Sequence, residues 1–152
     1  MTQFERLDLL IRECGGTIQT FQVINNGISK PVFYAYVKER GLEQVAHGVY
    51  VSPDTWTDAM YILHLRCSQA VFSHETALFF HDLTDREPLK YSITVKTGYN
   101  PSRLQEDGFQ VYTVKKELHE LGTTMMQTSF GHSVPVYDME RTICDVLRSR
   151  SN

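Results

Sequence analysis

The sequence of 152 residues contains few cysteines, no long apolar run and little excess of either charge. Its three cysteines are widely separated, which excludes a disulfide-rich secreted scaffold and favours a reducing compartment. No stretch of about 20 apolar residues is present, and the N-terminus has no apolar run of the kind that a secretory leader needs. Disorder and a collagen-like repeat are excluded because 41% of the residues are hydrophobic and glycine is not periodic. These absences predict a globular, water-soluble protein of the cytoplasm that makes no membrane contact.

The net charge of −3 provides no general attraction to nucleic acid. Residues 1–51 carry five basic and five acidic side chains, so this part of the chain is neutral. Three of the five bases, Lys30, Lys38 and Arg40, lie close together in sequence. Any binding to DNA would therefore depend on a small local face and on few phosphate contacts.

Residues 1–51 show the pattern of three helices. Apolar residues spaced three and four apart predict an amphipathic first helix, which ends at Gly15-Gly16. A short second helix is predicted to begin at a Thr17 cap and to end at Asn25-Asn26-Gly27. A third helix is predicted to begin at a Ser29 cap and to end at Gly41. The expected inward-facing residues are Phe4, Leu7, Leu10, Ile11 and Cys14 in the first helix, Ile18, Phe21 and Ile24 in the second, and Phe33, Tyr36 and Val37 in the third.

A small β-hairpin is predicted after the third helix. Two β-prone runs in residues 42–51 flank a turn centred on His47-Gly48. Three helices followed by a hairpin is the element order of a winged helix-turn-helix. We therefore predict a winged helix-turn-helix domain over residues 1–51.

Residues 52–152 are predicted to form a small mixed α/β domain, which makes the whole chain α+β. Helices are expected after Trp56 and after Ser73, and alternating apolar residues predict strands around Ile93 and Val111, joined by a loop at residues 98–101. Weaker strands are expected at 123–128 and 134–137. A terminal helix capped by Asp138 is expected to point Ile143, Val146 and Leu147 inward.

The outward face of the third helix is the candidate DNA surface. At 100° per residue it holds Pro31, Tyr34, Ala35 and Lys38, with Lys30 at the rim. It has no Arg, Asn or Gln, the strongest readers of base edges, so affinity is expected to exceed specificity. Thr17, Gln19 and Ser29 are expected to orient the motif on phosphates, Lys30 and Lys38 to neutralise phosphates, Tyr34 and Ala35 to meet base edges, and His47 to touch the flanking backbone.

Three other interpretations remain open. Tyr34 and Tyr36 could both be packing residues, and the fold could be a protein-interaction module that no longer binds DNA. A metal-dependent nuclease would need an acid and a lysine on one strand of an antiparallel pair, and the best match, Thr94-Val95-Lys96, lacks the acid. No nucleophile, phosphate-loop or H-E-x-x-H motif is present, so we expect no catalytic residues, no metal and no cofactor. The cysteines, including Cys144, are expected to be buried structural thiols.

Segments in both halves of the chain resemble a known family. They are Asn26-Gly27-Ile28-Ser29, His47-Gly48-Val49-Tyr50, Ser73-His74-Glu75-Thr76-Ala77-Leu78, His81-Asp82-Leu83-Thr84-Asp85 with Pro88, and Val136-Tyr137-Asp138-Met139-Glu140-Arg141-Thr142-Ile143-Cys144-Asp145. In this order and spacing they resemble the AbiEi family of abortive-infection antitoxins. The resemblance spans nearly the whole chain, and the Glu140–Ile143 segment is its most specific part.

The resemblance implies a repressor and antitoxin that is not itself an enzyme. An N-terminal winged helix-turn-helix would bind inverted repeats in its own promoter. The second domain would counter a nucleotidyltransferase toxin without forming a stable complex. His47 stands where family members often have Arg or Lys, which implies a weaker contact of the wing with phosphate at neutral pH. Family members also usually continue with further helices, which implies that 52–152 lacks them.

Overall fold

The computed structural model describes residues 2–150, which form eight helices and two β-sheets. The fold class is α+β, as the sequence predicts. The chain divides into two compact units, residues 1–66 and residues 67–152. Within residues 2–150, no helix is both long enough and apolar enough to span a bilayer.

The first unit packs helices against a small antiparallel sheet. In this sheet β3 lies between β1 and β2. Its elements are α1 (Gln3–Glu13), β1 (Thr17–Gln19), α2 (Thr20–Asn25), α3 (Lys30–Arg40), β2 (Glu43–Ala46), β3 (Val49–Val51) and α4 (Ala59–Arg66).

The core of the first unit follows the predicted periodicity of α1. A capping box starts this helix, in which the Thr2 hydroxyl accepts from the Glu5 backbone N–H and the Glu5 carboxylate accepts from that of Thr2. The buried side chains come from every element between α1 and β3 except β2. They are Leu7, Ile11, Ile18, Val23, Ile28, Phe33, Tyr36 and Tyr50.

The predicted start of the second helix at Thr17 is wrong. Thr17 lies in β1, where it pairs with Val51 and is buried, and α2 begins three residues later. The Gln19 backbone N–H donates to the side-chain oxygen of Gln22 at 2.8 Å, so Gln19 and not Thr17 precedes the first turn. This shift rotates the buried stripe, so Val23 enters the core while Phe21 is 56% exposed and Ile24 is also exposed.

The third helix and the hairpin are confirmed. α3 follows Ser29 and ends at Gly41, whose φ of 71° is a left-handed conformation that favours glycine. Phe33 and Tyr36 are buried as predicted, and Val37 is half-buried. The Ser29 hydroxyl makes no capping bond in the described part of the chain, so Ser29 supplies the capping position without the expected side-chain contact.

The helix predicted after Trp56 is confirmed as α4. Asp58, which is buried, accepts from the Tyr61 backbone N–H, and α4 runs from Ala59. Trp56 itself is exposed. Since α4 packs against β2 and β3, the first compact unit continues past residue 51, the predicted domain boundary.

The second unit is built on a five-stranded mixed sheet in the order β6-β5-β4-β8-β7. The pairs β4–β8 and β5–β6 are parallel, whereas β4–β5 and β7–β8 are antiparallel. The elements are β4 (Val71–Phe72), α5 (His74–Phe80), β5 (Ser92–Lys96), α6 (Ser102–Glu106), β6 (Gln110–Val114), α7 (Lys116–His119), β7 (Thr123–Gln127), β8 (Ser133–Tyr137) and α8 (Met139–Arg150).

The connection between β5 and β6 is more than the predicted loop. Parallel neighbours need a crossover segment, because the chain must return to the end of the sheet from which the first strand started. Here the crossover contains α6, and Leu104 at its centre is buried. The short helix therefore packs against β6.

The predicted inward face of α8 is wrong at two of its three residues. Val146 is half-buried, but Ile143 is exposed and Leu147 is 61% exposed, whereas Thr142 and Asp145 are buried where α8 packs against α5. Cys144 is also exposed, which corrects the expectation of a buried thiol. The Asp138 cap is confirmed, because its side chain accepts from the Arg141 backbone N–H at 2.8 Å.

Arg141 links α8 to α7 and to the segment that follows α7. Its guanidinium donates to the Asp145 carboxylate at 3.0 Å and to the backbone oxygens of Leu118 and Leu121 at 2.6 and 2.7 Å. The same group lies over the Tyr137 ring, 4.1 Å from its centroid. The segment that is most specific in the family resemblance therefore has a structural role in this fold.

Candidate nucleic-acid interface

The outward face of α3 is an exposed surface with two lysines. Lys30, Ala35 and Lys38 are exposed, and Tyr34 is 49% exposed. These are the residues that helical periodicity assigns to this side, so the prediction of the face is confirmed. A polar, cationic helix face of this kind can approach phosphates and base edges.

The two tyrosines of α3 have different environments. Tyr36 is buried and packs edge-on against Phe4, with their ring centroids 5.3 Å apart. The Tyr34 ring touches only the margin of the core, 6.1 Å from Phe33. The interpretation of both tyrosines as packing residues therefore holds for Tyr36, while about half of Tyr34 remains available to a partner.

A partly exposed polar contact joins α3 to α1. The Tyr36 hydroxyl donates to Asp8 Oδ1 at 2.5 Å, and the Arg40 guanidinium donates to both Asp8 oxygens at 3.3 Å. On the same inward face, Phe33 packs edge-on against Tyr50 of β3, with ring centroids 5.1 Å apart. α3 is thereby held between α1 and the sheet, with its lysines outward.

These contacts change the acidity of the groups involved. The hydrogen bond from Tyr36 is the largest influence and lowers the pKa of Asp8 below its usual 3.8. Burial opposes this effect, and the hydrogen bonds and charge of Arg40 add further lowering. Burial and the Asp8 carboxylate together raise the pKa of Tyr36 to about 12. The Asp8 carboxylate is therefore the charged partner of a neutral phenol throughout the neutral range.

The stabilising contribution of Asp8 to the first unit should be lost in acid. Since its folded pKa lies below 3.8, its contribution is complete above that pH and is lost as the pH falls through the folded value. We expect the difference in urea midpoint between wild type and Asp8→Asn to shrink as the pH is lowered from about 5 to about 2.5. Glu13→Gln, at an exposed acid of the same helix, is the control, and an equal shrinkage there would contradict the assignment.

The remaining predicted contact residues do not all lie on the surface. Ser29 precedes α3 and is exposed, and His47 is exposed in the turn between β2 and β3. Gln19 is half-buried at the end of β1. Thr17 is buried within the sheet, so the expected contact of its hydroxyl with phosphate is wrong.

α2 exposes two apolar residues that the sequence pattern predicted to be buried. The Thr20 backbone N–H donates to the Gly48 oxygen at 2.9 Å, so the hairpin turn is joined to the start of α2. Phe21 and Ile24, expected in the core, are instead exposed on this helix. The only available signal was Val23, which belongs to the alternative apolar stripe that a helix start at Thr20 would create.

The second unit does not provide the arrangement expected for a metal-dependent nuclease. β5, which carries Thr94 and Lys96, pairs antiparallel with β4 and parallel with β6, and Thr94 stands where the motif needs an acid. Among residues 2–150, no group of three or more His, Cys, Asp and Glu side chains is placed to hold a metal ion.

Comparisons with known proteins do not assign the chain. No protein-family model matches it, and no curated protein is significantly similar to it.

Proposed function

We propose that this protein is a DNA-binding transcriptional repressor whose first unit contains a winged helix-turn-helix. The observation that carries the proposal is the order α1-β1-α2-α3-β2-β3, with β3 between its neighbours and the outer face of α3 exposed. In a winged helix-turn-helix the third helix lies in the major groove and the β2–β3 turn forms the wing. α3 would be the recognition helix and His47 would lie at the tip of the wing.

Different residues of the proposed interface would contact different parts of the DNA. Lys30 and Lys38 neutralise phosphates, and Tyr34 and Ala35 face base edges, where the alanine methyl suits thymine. Ser29 offers a hydroxyl at the start of α3, and Gln19 an amide at the end of β1. Because few charges take part, affinity should be modest and sensitive to salt.

Replacement of Lys30 and Lys38 by alanine should weaken binding to the upstream promoter. Removal of each phosphate contact should reduce the slope of log K against log salt by about 0.9, so the double variant should show a slope shallower by about 1.8. A mobility-shift titration of wild type and variant at several salt concentrations measures both quantities.

A second double variant provides the control for charge. Lys90→Ala with Lys116→Ala removes the same charge from exposed positions of the second unit. It should bind with the wild-type slope. A wild type that shifts no promoter fragment at low salt, or a Lys30 and Lys38 variant that shifts it as well as wild type, would reject α3 as the recognition helix.

We also infer from the family resemblance that the protein is an antitoxin acting against a nucleotidyltransferase toxin. The segments quoted from both units support this inference, and no enzymatic role for the chain is proposed with it. Cells that express a toxic nucleotidyltransferase encoded beside its gene should regain growth when this protein is expressed with the toxin. Restored growth with the Lys30 and Lys38 double variant would separate the antitoxin activity from DNA binding.

One observation favours a second candidate, a protein-interaction module. Phe21 and Ile24 are exposed apolar side chains of α2, and the outer face of α3 has no Arg, Asn or Gln. Exposed apolar residues that lie together are typical of interaction surfaces. A stoichiometric partner that no longer binds the Phe21→Ser variant, together with no promoter shift, would favour this candidate over the repressor.

A further inference from the structure

A cleft of about 510 Å³ in the second unit has a basic and hydroxyl-rich lining. It is bordered by α5, β6 and α8 and by the segment that joins β6 to α7. Its polar lining includes His74, Tyr112, Lys115, Arg148 and Ser149. The cleft lies outside the proposed DNA interface and does not depend on it.

His74 is held rigidly in the wall of this cleft. Its ring stacks on Tyr112, with centroids 3.6 Å apart and planes inclined by 14°. Nδ1 lies 2.9 Å from the Ser73 hydroxyl and Nε2 lies 3.1 Å from the Ser149 hydroxyl. Burial lowers the pKa of His74 below 6.5, so the ring is neutral at physiological pH.

The hydrogen-bond chain is satisfied when the His74 proton is on Nε2. The Thr94 hydroxyl donates to Ser73 Oγ at 2.8 Å, and we assign the proton of the buried Ser73 hydroxyl to the bond with His74 Nδ1. His74 Nε2–H then donates to Ser149 Oγ. Because Ser149 accepts this bond, its own proton is free to be donated into the cleft. This polarity makes Ser149 a hydrogen-bond donor and not an activated nucleophile.

The backbone at His74 is strained. Its φ of 50° is a left-handed conformation that a non-glycine side chain seldom adopts. Such conformations are unfavourable for a non-glycine residue and cluster at ligand-binding and catalytic sites. In this conformation the imidazole of His74 lies against Tyr112 and Ser149.

The cations of the cleft are not neutralised by its carboxylate alone. Asp145, which is 2% exposed, accepts both from Arg141 Nε and from the Arg148 guanidinium. One carboxylate thus pairs with two guanidinium groups, and Lys115 adds a further positive charge at an exposed position. The excess charge beside the Ser149 hydroxyl suits a phosphate group, which takes both cationic and neutral donors.

We propose that this cleft binds a small phosphate-bearing molecule, either inorganic phosphate or a phosphate monoester such as a nucleotide. Lys115 and Arg148 hold the charge, and Ser149, oriented by His74, donates a hydrogen bond to a phosphate oxygen. No chemical step is assigned to the site. Binding and recognition of the phosphate group are its whole role.

Titration of the full chain by amide NMR tests the proposal, since 17.5 kDa is within reach of the method. Inorganic phosphate, AMP and adenosine are added separately at constant ionic strength. Phosphate and AMP should give saturable shifts at residues that line the cleft, including Thr97, Lys115 and Ser149, and adenosine should not. Equal affinities for phosphate and AMP indicate a free-phosphate site, and tighter binding of AMP indicates a nucleotide site.

Variants separate this site from general attraction to a positive surface. Lys115→Gln should weaken binding about tenfold, the usual effect of losing one charge-assisted hydrogen bond, and Ser149→Ala should weaken it about threefold or more. Lys116→Gln, at the neighbouring lysine outside the lining, should stay within about twofold of wild type.

Three results would overturn the proposal. They are the absence of saturable shifts at the cleft, equal losses for Lys115→Gln and Lys116→Gln, and adenosine binding equal to that of AMP. Displacement of AMP from the cleft by a short DNA duplex, abolished in Lys115→Gln, would instead identify a nucleic-acid surface and reject a small-molecule site.

Discussion

Arg141→Ala should lower the free energy of unfolding of the second unit by about 3–5 kcal/mol, the usual cost of removing one partner from a buried ion pair. The variant loses the pair with Asp145, the bonds to the backbone oxygens of Leu118 and Leu121, and the contact with the Tyr137 ring. Urea unfolding measures the loss. Hydrogen exchange followed by mass spectrometry should locate it to residues 67–150.

Arg148→Ala is the matched control for this prediction. Arg148 also pairs with Asp145, but its side chain is 56% exposed, so its removal should cost no more than about 1 kcal/mol. Arg141→Lys should fall between the two, because an ammonium keeps the charge without the planar fork that reaches the carboxylate and two carbonyls. Equal losses for Arg141→Ala and Arg148→Ala would contradict the central position of Arg141.

The parts of the fold that the sequence predicted are those with strong local signals. α1 and α3 combine an apolar stripe with an ending at glycine, and the hairpin turn needs the positive φ that Gly48 provides. The start of the second helix was predicted wrongly because Thr17 is both a good cap and a good strand residue. Thr17 pairs with Val51, which lies 34 residues later in the chain, and this long-range pairing places Thr17 in a strand.

The inward face of α8 was predicted wrongly for a different reason. Its apolar residues 143, 146 and 147 favour an inward stripe, yet the helix buries Thr142 and Asp145. These polar groups are satisfied on the inside, where the Thr142 hydroxyl donates to the Tyr137 backbone oxygen at 3.2 Å and Asp145 pairs with Arg141. Periodicity describes burial only where apolar packing determines the face, and in α8 the hydrogen bonds determine it.

The candidate sites show the same division. The outer face of α3 follows from helical geometry, so Lys30, Tyr34 and Lys38 could be placed from the sequence. The contact that joins this helix to α1 could not, because Asp8 and Tyr36 are 28 residues apart and carry no spacing signal. The cleft around His74 also assembles residues from separate segments, which only the sheet topology brings together.

Phe33→Ala should abolish the stability of the first unit and, with it, the proposed binding to DNA. Phe33 is fully buried between α1, α2 and the sheet, where removal of an aromatic ring usually costs about 3–5 kcal/mol. This loss is comparable with the whole stability of many small domains. Hydrogen exchange should show faster exchange across residues 2–66, and the promoter shift should disappear at 37 °C, about the temperature at which a marginal domain unfolds.

Tyr34→Ala tests the other face of the same helix. Tyr34 adjoins Phe33 in sequence but is half exposed, so its truncation should change stability by no more than about 0.5 kcal/mol. If Tyr34 faces base edges, this variant keeps wild-type hydrogen exchange while its promoter affinity falls about tenfold, the effect of losing about 1.4 kcal/mol of binding energy. Because the two substitutions separate folding from recognition within one helix, normal affinity in Tyr34→Ala would mean that α3 contributes only its lysines. A loss of stability as large as that of Phe33→Ala would mean that Tyr34 is a core residue.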